Sequence, residues 1–232
     1  MKTILLKLTG PMQSWGTSSK FEIRATDYYP SKSGIIGIIA ACLGLKRDQD
    51  REVQKLNDLN FAVRVDQEGE LKRDYHIATK YKKTGDFERN YVTNRYYMED
   101  AVYVIAISHE DDEWIDEILQ ALKNPYFQPF MGRRSCPPPA DYIIGITNKG
   151  PIEALQELEW QAAKWFKKKH KNYRADIYAD MDLLPESSYM IRNDRVISFS
   201  QKERKYGPRF EARSSEILLK ETEIEMDFYG SV

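Results

Sequence analysis

The sequence predicts an α+β fold, and three observations carry the prediction. A run of branched apolar residues opens the chain, similar runs recur at residues 60–66 and 101–108, and apolar stretches with helical spacing lie at 34–45 and 113–122. Short strands alternating with helices in this order point to one mixed sheet covered by helices.

Each element has a local cause. Residues 2–9 (KTILLKLT) read as a first strand that stops at Gly10 and Pro11, opening a loop over 10–16. Ser31 and Ser33 mark the start of a helix over 34–45, because a serine oxygen accepts from the first free N–H groups, and Gly44 marks its end. Residues 60–66 (NFAVRVD) alternate as a strand, and 101–108 form another. Ile115, Ile118, Leu119 and Leu122 share one face of a helix over 113–122. A last strand at 126–131 completes βαββαβ, the ferredoxin-like plan, over residues 1–140. Residues 71–97 are long, polar and dense in Lys, Arg and Tyr, which predicts an extended hairpin or mobile arm inserted at about 78–98. Residues 141–232 predict a smaller, mixed, β-rich appendage: a short strand at 142–147, a helix at 151–167 and several short β segments up to Phe228.

With 41% hydrophobic and 31% charged residues the chain reads as globular. A net charge of -1 conceals segregation: residues 110–117 hold six acids and no base, whereas 160–174 hold six bases and no acid. Cys42 and Cys136 lie far apart without metal-ligand spacing, which predicts a reducing compartment. The first residues have too short an apolar core for a signal peptide, and 34–45 is too short to span a bilayer. The expectation is a soluble cytoplasmic protein with no membrane partner.

The chemistry concentrates at Arg133 and Arg134, followed by Ser135 and Cys136. Gly132 bends the backbone on one side of the arginine pair and Pro137 to Pro139 stiffen it on the other. Two guanidiniums on a rigid corner suit phosphate in two-point contact; solvated arginines on a surface turn are the plain alternative. From Lys80 to Tyr97 five bases stand against two acids, with five aromatic residues among them, a mixture that holds single-stranded nucleic acid by charge and stacking. Residues 192–213 hold seven bases against three acids. The junction at Ser31 to Gly34 offers backbone N–H groups beside Lys32 and Ser33 as a second anion site, or an ordinary helix cap. Trp15 either packs in the core or stacks on a base.

Catalysis has little support. His76, His109 and His170 have no ligand spacing, so neither a metal nor a cofactor is expected. His76, beside Tyr75, is the one candidate for metal-free RNA cleavage through a ribose 2'-hydroxyl, and a structural histidine is the simpler reading.

Taken in order, Gly10-Pro11-Met12-Gln13-Ser14-Trp15-Gly16, Pro30-Ser31-Lys32-Ser33-Gly34, Arg73-Asp74-Tyr75-His76 and Gly132-Arg133-Arg134-Ser135-Cys136-Pro137 resemble the CasD family, the fifth-family Cas subunits of the type I-E CRISPR Cascade complex. The resemblance implies a non-catalytic clamp on the 5' handle of CRISPR RNA. Its arm, the thumb, would meet the adjacent backbone subunit, and the protein would help seat the large subunit. Carried onto this chain, the RNA-binding residues are Gln13, Trp15, Lys32, Ser33, Tyr75, His76 and Arg133 to Cys136, with Arg24 and Arg95 as further cations. Ser31 stands where threonine is common, and the lysine-rich stretch Lys167 to Lys171 departs from the family pattern. A type I-C relative cleaves repeat RNA, so an endoribonuclease is the alternative function.

Overall fold

The computed structural model describes residues 1–17, 23–214 and 217–220. In chain order the elements are β1 (Lys2–Thr9), β2 (Met12–Gln13), β3 (Ile23–Arg24), α1 (Lys32–Cys42), α2 (Asp50–Lys55), β4 (Asn60–Gln67), β5 (Glu70–Tyr81), β6 (Phe87–Glu99), β7 (Val102–His109) and α3 (Asp112–Lys123). There follow β8 (Ile143–Thr147), α4 (Pro151–Glu157), α5 (Lys164–Lys169), β9 (Asn172–Ala175), β10 (Ile177–Asp180), β11 (Tyr189–Ser198), β12 (Lys205–Arg213) and β13 (Ile217–Lys220).

Seven strands form one antiparallel sheet in the order β11-β12-β10-β4-β7-β1-β8. Strand alternation sorts its two faces. Ile4, Leu6 and Leu8 of β1 and Tyr103, Ile105 and Ile107 of β7 turn toward α1 and α3 in the main core, while Leu5, Val104 and Ala106 turn toward Ala154 and Leu155 of α4. Helix α1 is apolar nearly all round because it lies between this sheet and the neighbouring segments. A second sheet sets β6 between β5 on one side and the short strands β2 and β3 on the other.

The sequence reading needs three corrections. Residues 126–131 are not a strand: the N–H groups of Tyr126 and Phe127 donate to Cys42 and Ala41 carbonyls at the end of α1 (2.9 and 3.0 Å), and Pro129 has no donor for a ladder. The strand that flanks β1 is β8, which the sequence reading gave to the appendage, so the boundary expected at residue 140 falls inside one continuous sheet. The helix expected over 151–167 breaks into α4 and α5. The break is forced by the buried Arg64, whose guanidinium takes the carbonyls of Leu155, Leu158 and Glu159, while Asp66 accepts from the Gln161 N–H at 2.6 Å. The arm expected over 71–97 is the β5–β6 hairpin, and the β segment expected beyond residue 220 lies outside the described residues.

Candidate nucleic-acid interface

The arginine corner is anchored by its neighbours. Met131 and Cys136 are buried, the Met131 N–H donates to the Cys136 carbonyl (2.7 Å), and the Cys136 N–H closes a turn on the Arg133 carbonyl (2.9 Å). Gly132 has φ +79, and a Cβ there would stand 1.6 Å from the Ser14 carbonyl oxygen, so no other residue fits. Ser14 in turn donates its N–H to Met131. The first loop and the corner are therefore one unit, with Arg134 and Ser135 exposed and Arg133 half-buried.

Arg133 stacks its guanidinium 4.1 Å from the centre of the Tyr97 ring and donates Nη2 to the Arg24 carbonyl at 3.0 Å. Its Nη1 is buried without a hydrogen-bond partner among the described residues. Arg24 lies opposite Arg95 in the β3–β6 pairing, and Arg95 Nε is likewise buried and unpartnered, although Asp74 is its register partner on β5. Arg133 thus sits on Tyr97 and against the β3 backbone at Arg24, whose register partner on β6 is Arg95. Buried cationic donors without acceptors are costly.

The hairpin has two chemically distinct faces. Opposite residues in an antiparallel pair share a side, so Lys72, His76, Lys80, Arg89, Tyr91, Arg95 and Tyr97 lie on one face. Leu71, Tyr75, Ile77 and Val92 lie on the other, where all four are exposed. Tyr75 and His76, expected to act together, therefore point to opposite sides. His76 Nδ1 lies 3.4 Å from the Thr93 hydroxyl, and among the described residues no carboxylate, lysine or tyrosine is hydrogen-bonded to it.

For Trp15 and the start of α1 the structure takes the plainer of the two alternatives. Trp15, 2% exposed, is a core residue: its ring lies where a Cβ on Gly34 would touch it at 3.0 Å, its Nε1 donates to Gln13 Oε1, and Gln13 donates to the Ala101 carbonyl. Gln13 and Trp15 brace the first loop and offer no stacking surface. The start of α1 is already filled: Ser31 caps Gly34, and the Lys32 N–H donates to Asp194 at 2.9 Å. Lys32, 7% exposed, points inward to Asp180 and the Asn57 carbonyl (both 2.9 Å), and burial lowers its pKa despite Asp180. Ser33 is buried beside Ser31, and Cys136 is buried beneath the corner.

Two bases of the stretch 192–213, Arg192 and Arg209, are committed internally. Arg192 reaches Asp27 (2.8 Å) and Glu211 (3.2 Å). Arg209 reaches Asp194 (2.7 Å), Asp180 (3.0 Å) and Glu211 (2.5 Å). Burial opposes the charge on Arg209, but these carboxylates outweigh it and hold the guanidinium more firmly protonated than a free one.

Sequence reasoning missed a cleft of about 790 Å³ adjoining the corner. Its walls come from α1, from residues 127–134 and from the β11–β12 connection, and Arg134 and Ser33 reach it. Lys46, Arg47, Phe199, Arg204 and Tyr206 also line it. No motif links these remote residues, although Phe199, Arg204 and Tyr206 lie in the basic stretch 192–213.

The family model for CRISPR-associated protein Cas5 matches residues 3–210. The chain is 32% identical over 171 residues to the CRISPR system Cascade subunit CasD of Escherichia coli (strain K12), covering 67% of this chain and 76% of that protein. Among solved structures, a chain of a CRISPR RNA-guided surveillance complex is similar with TM-score 0.76 and 30% identity over 93% of this chain and 91% of that one. A crystal structure of a Cas protein is similar with TM-score 0.66 and 26% identity, over 95% and 98% of the two chains. With nine-tenths of its length under that model, the chain belongs to the Cas5 family of CRISPR-associated proteins.

Proposed function

We propose that the protein is a non-catalytic subunit of a Cascade-type, cytoplasmic surveillance complex that binds and caps the 5' handle of CRISPR RNA. The observation that carries this reading is the corner itself: Arg134 and Ser135 are exposed on a turn tied to the first loop, and Arg133, stacked on Tyr97, adjoins the Arg24–Arg95 pairing of β3 and β6. A phosphate on the exposed Arg134 and Ser135 would take charge-assisted hydrogen bonds, with the Arg133 guanidinium adding charge beside them. On this reading β1, α1, β4, β7, α3 and β8 form a ferredoxin-like unit. The β5–β6 hairpin is its thumb: the basic-aromatic face meets RNA, and the apolar face with Tyr75 meets the adjacent backbone subunit. A docking site for the large subunit belongs to the same reading. Similarity to CasD and to a chain of an RNA-guided surveillance complex supports the assignment.

Titrating handle RNA against Arg133→Ala/Arg134→Ala across a salt series tests it. Removing each charge-assisted hydrogen bond weakens binding about tenfold, and the log-log salt slope falls by about 0.7 per neutralised phosphate. Unchanged affinity and slope would sink the reading. Incubating labelled repeat RNA with the protein in chelator tests the non-catalytic part, and discrete products that vanish in His76→Ala would overturn it.

A further inference from the structure

We propose that the cleft beside the arginine corner receives one unstacked ribonucleotide of the bound RNA strand, its base against aromatic rings and its phosphate on a cationic rim; this inference rests on the RNA-binding reading above. The rim consists of Lys46, Arg47, Arg134 and Arg204, and no Asp or Glu is among the described residues lining the cleft. In this the cleft differs from the buried arginine network, where every guanidinium meets a carboxylate. Glu203, next to Arg204, is paired with Lys205, and Asp48, next to Arg47, does not line the cleft.

The walls supply stacking surface. Phe127, Phe130, Phe199 and Tyr206 come from two segments, and Phe199 and Tyr206 brace each other edge to face at 6.4 Å. Base faces stack on such rings without sequence preference. The floor is the surface of α1 at Gly34 and Gly37, one turn apart. Gly34 is required by the Trp15 ring, but Gly37 is not: a Cβ there would make ordinary contact with Phe199 at 3.8 Å. Glycine inside a helix weakens it, and here it leaves the floor bare where a side chain would narrow the cleft. The volume lies in the range that holds a small-molecule-sized group. Because Arg134 belongs to both sites, a strand whose phosphates sit on the corner has its next nucleotide at the cleft mouth.

The test uses the full-length protein and single-stranded handle RNAs that carry one 5-iodouridine at each position in turn, crosslinked by light and mapped by mass spectrometry. One position is expected to attach to Phe127, Phe130, Phe199 or Tyr206. Lys46→Ala/Arg47→Ala/Arg204→Ala, all three exposed in the native protein, should weaken RNA binding about tenfold and abolish that crosslink while the corner crosslinks persist. Gly37→Leu should abolish it with all cations kept. Crosslinks confined to Tyr97 and the hairpin, with affinity unchanged in the triple variant, would overturn the cleft inference and leave the corner reading standing. Loss of binding only in Arg133→Ala/Arg134→Ala would have the same consequence. Cleft variants that bind RNA normally but fail to enter the assembled complex would assign the cleft to a protein partner and overturn the inference. Absence of any crosslink or RNA binding in the native protein would remove both readings.

Discussion

Arg64, Arg192 and Arg209 lie within the seven-stranded sheet and meet carboxylates: Asp66 for the first, Asp27 and Glu211 for the second, and Asp194, Asp180 and Glu211 for the third. Arg95 and Arg133, at the second sheet, are also partly buried, yet each keeps a nitrogen with no acceptor among the described residues. The same side chain is structural in one region and available in the other. What separates them is whether a carboxylate lies within ion-pair distance: Asp66 on the same strand for Arg64, and Asp27, Asp180, Asp194 and Glu211 for Arg192 and Arg209. A buried guanidinium matched by the fold is consumed by stability; one left unmatched retains capacity for an external anion.

The largest expected effect tests the matched region. Arg209→Ala leaves Asp194 and Glu211 buried without their main cation, and stability should fall by about 3–5 kcal/mol, roughly 10 °C in Tm. Arg133→Ala, which removes no ion pair, should move stability by less than about 1 kcal/mol. Equal losses in the two variants, read by thermal or denaturant unfolding, would erase the distinction. Next in size, the Arg133→Ala/Arg134→Ala pair should lose about 100-fold in handle affinity at low salt while remaining folded. Arg213→Ala, whose side chain is held by Asp176, should bind RNA as the native protein does.

Gly132→Ala should sharpen the comparison by moving the corner without touching its charge. The Ser14 carbonyl and the positive φ together cost about 2–3 kcal/mol, and handle affinity should drop several-fold because the arginines lose their register with Tyr97. Native affinity in a folded Gly132→Ala protein would mean that rigidity of the corner is irrelevant. The smallest expected effect is with pH. Arginine stays charged throughout, so handle affinity should be flat from about pH 6 to about pH 9. A fall through the range where histidine loses its proton would show that His76 contributes charge.

Much of the architecture could be read from the chain because its causes are local. Period-two alternation at residues 60–66, the branched run at 2–9, the serine cap at Ser31 and the apolar face of 113–122 each became the element expected, with ends shifted by up to three residues. The rigid corner was readable for the same reason: Gly132 and the prolines act on adjacent backbone. Residues 126–131 misled because an apolar segment looks alike whether its N–H groups enter a ladder or cap a helix, and that choice belonged to the end of α1. The basic stretch 192–213 misled because its buried arginines also draw carboxylates from outside it; Asp27 lies 165 residues from Arg192, and Asp180 pairs with Arg209.

By itself, then, the amino-acid order determined β1, β4, β7, α1, α3 and the presence of two adjoining arginines on a stiff turn, since neighbouring residues set backbone preference. Only the tertiary structure decided which cations are spent on carboxylates, that Trp15 is a core pillar, and that Lys46, Arg47, Phe199 and Arg204 meet in one cleft. Pairing and burial depend on distances between residues far apart in the chain, and those distances exist only after the sheet has closed.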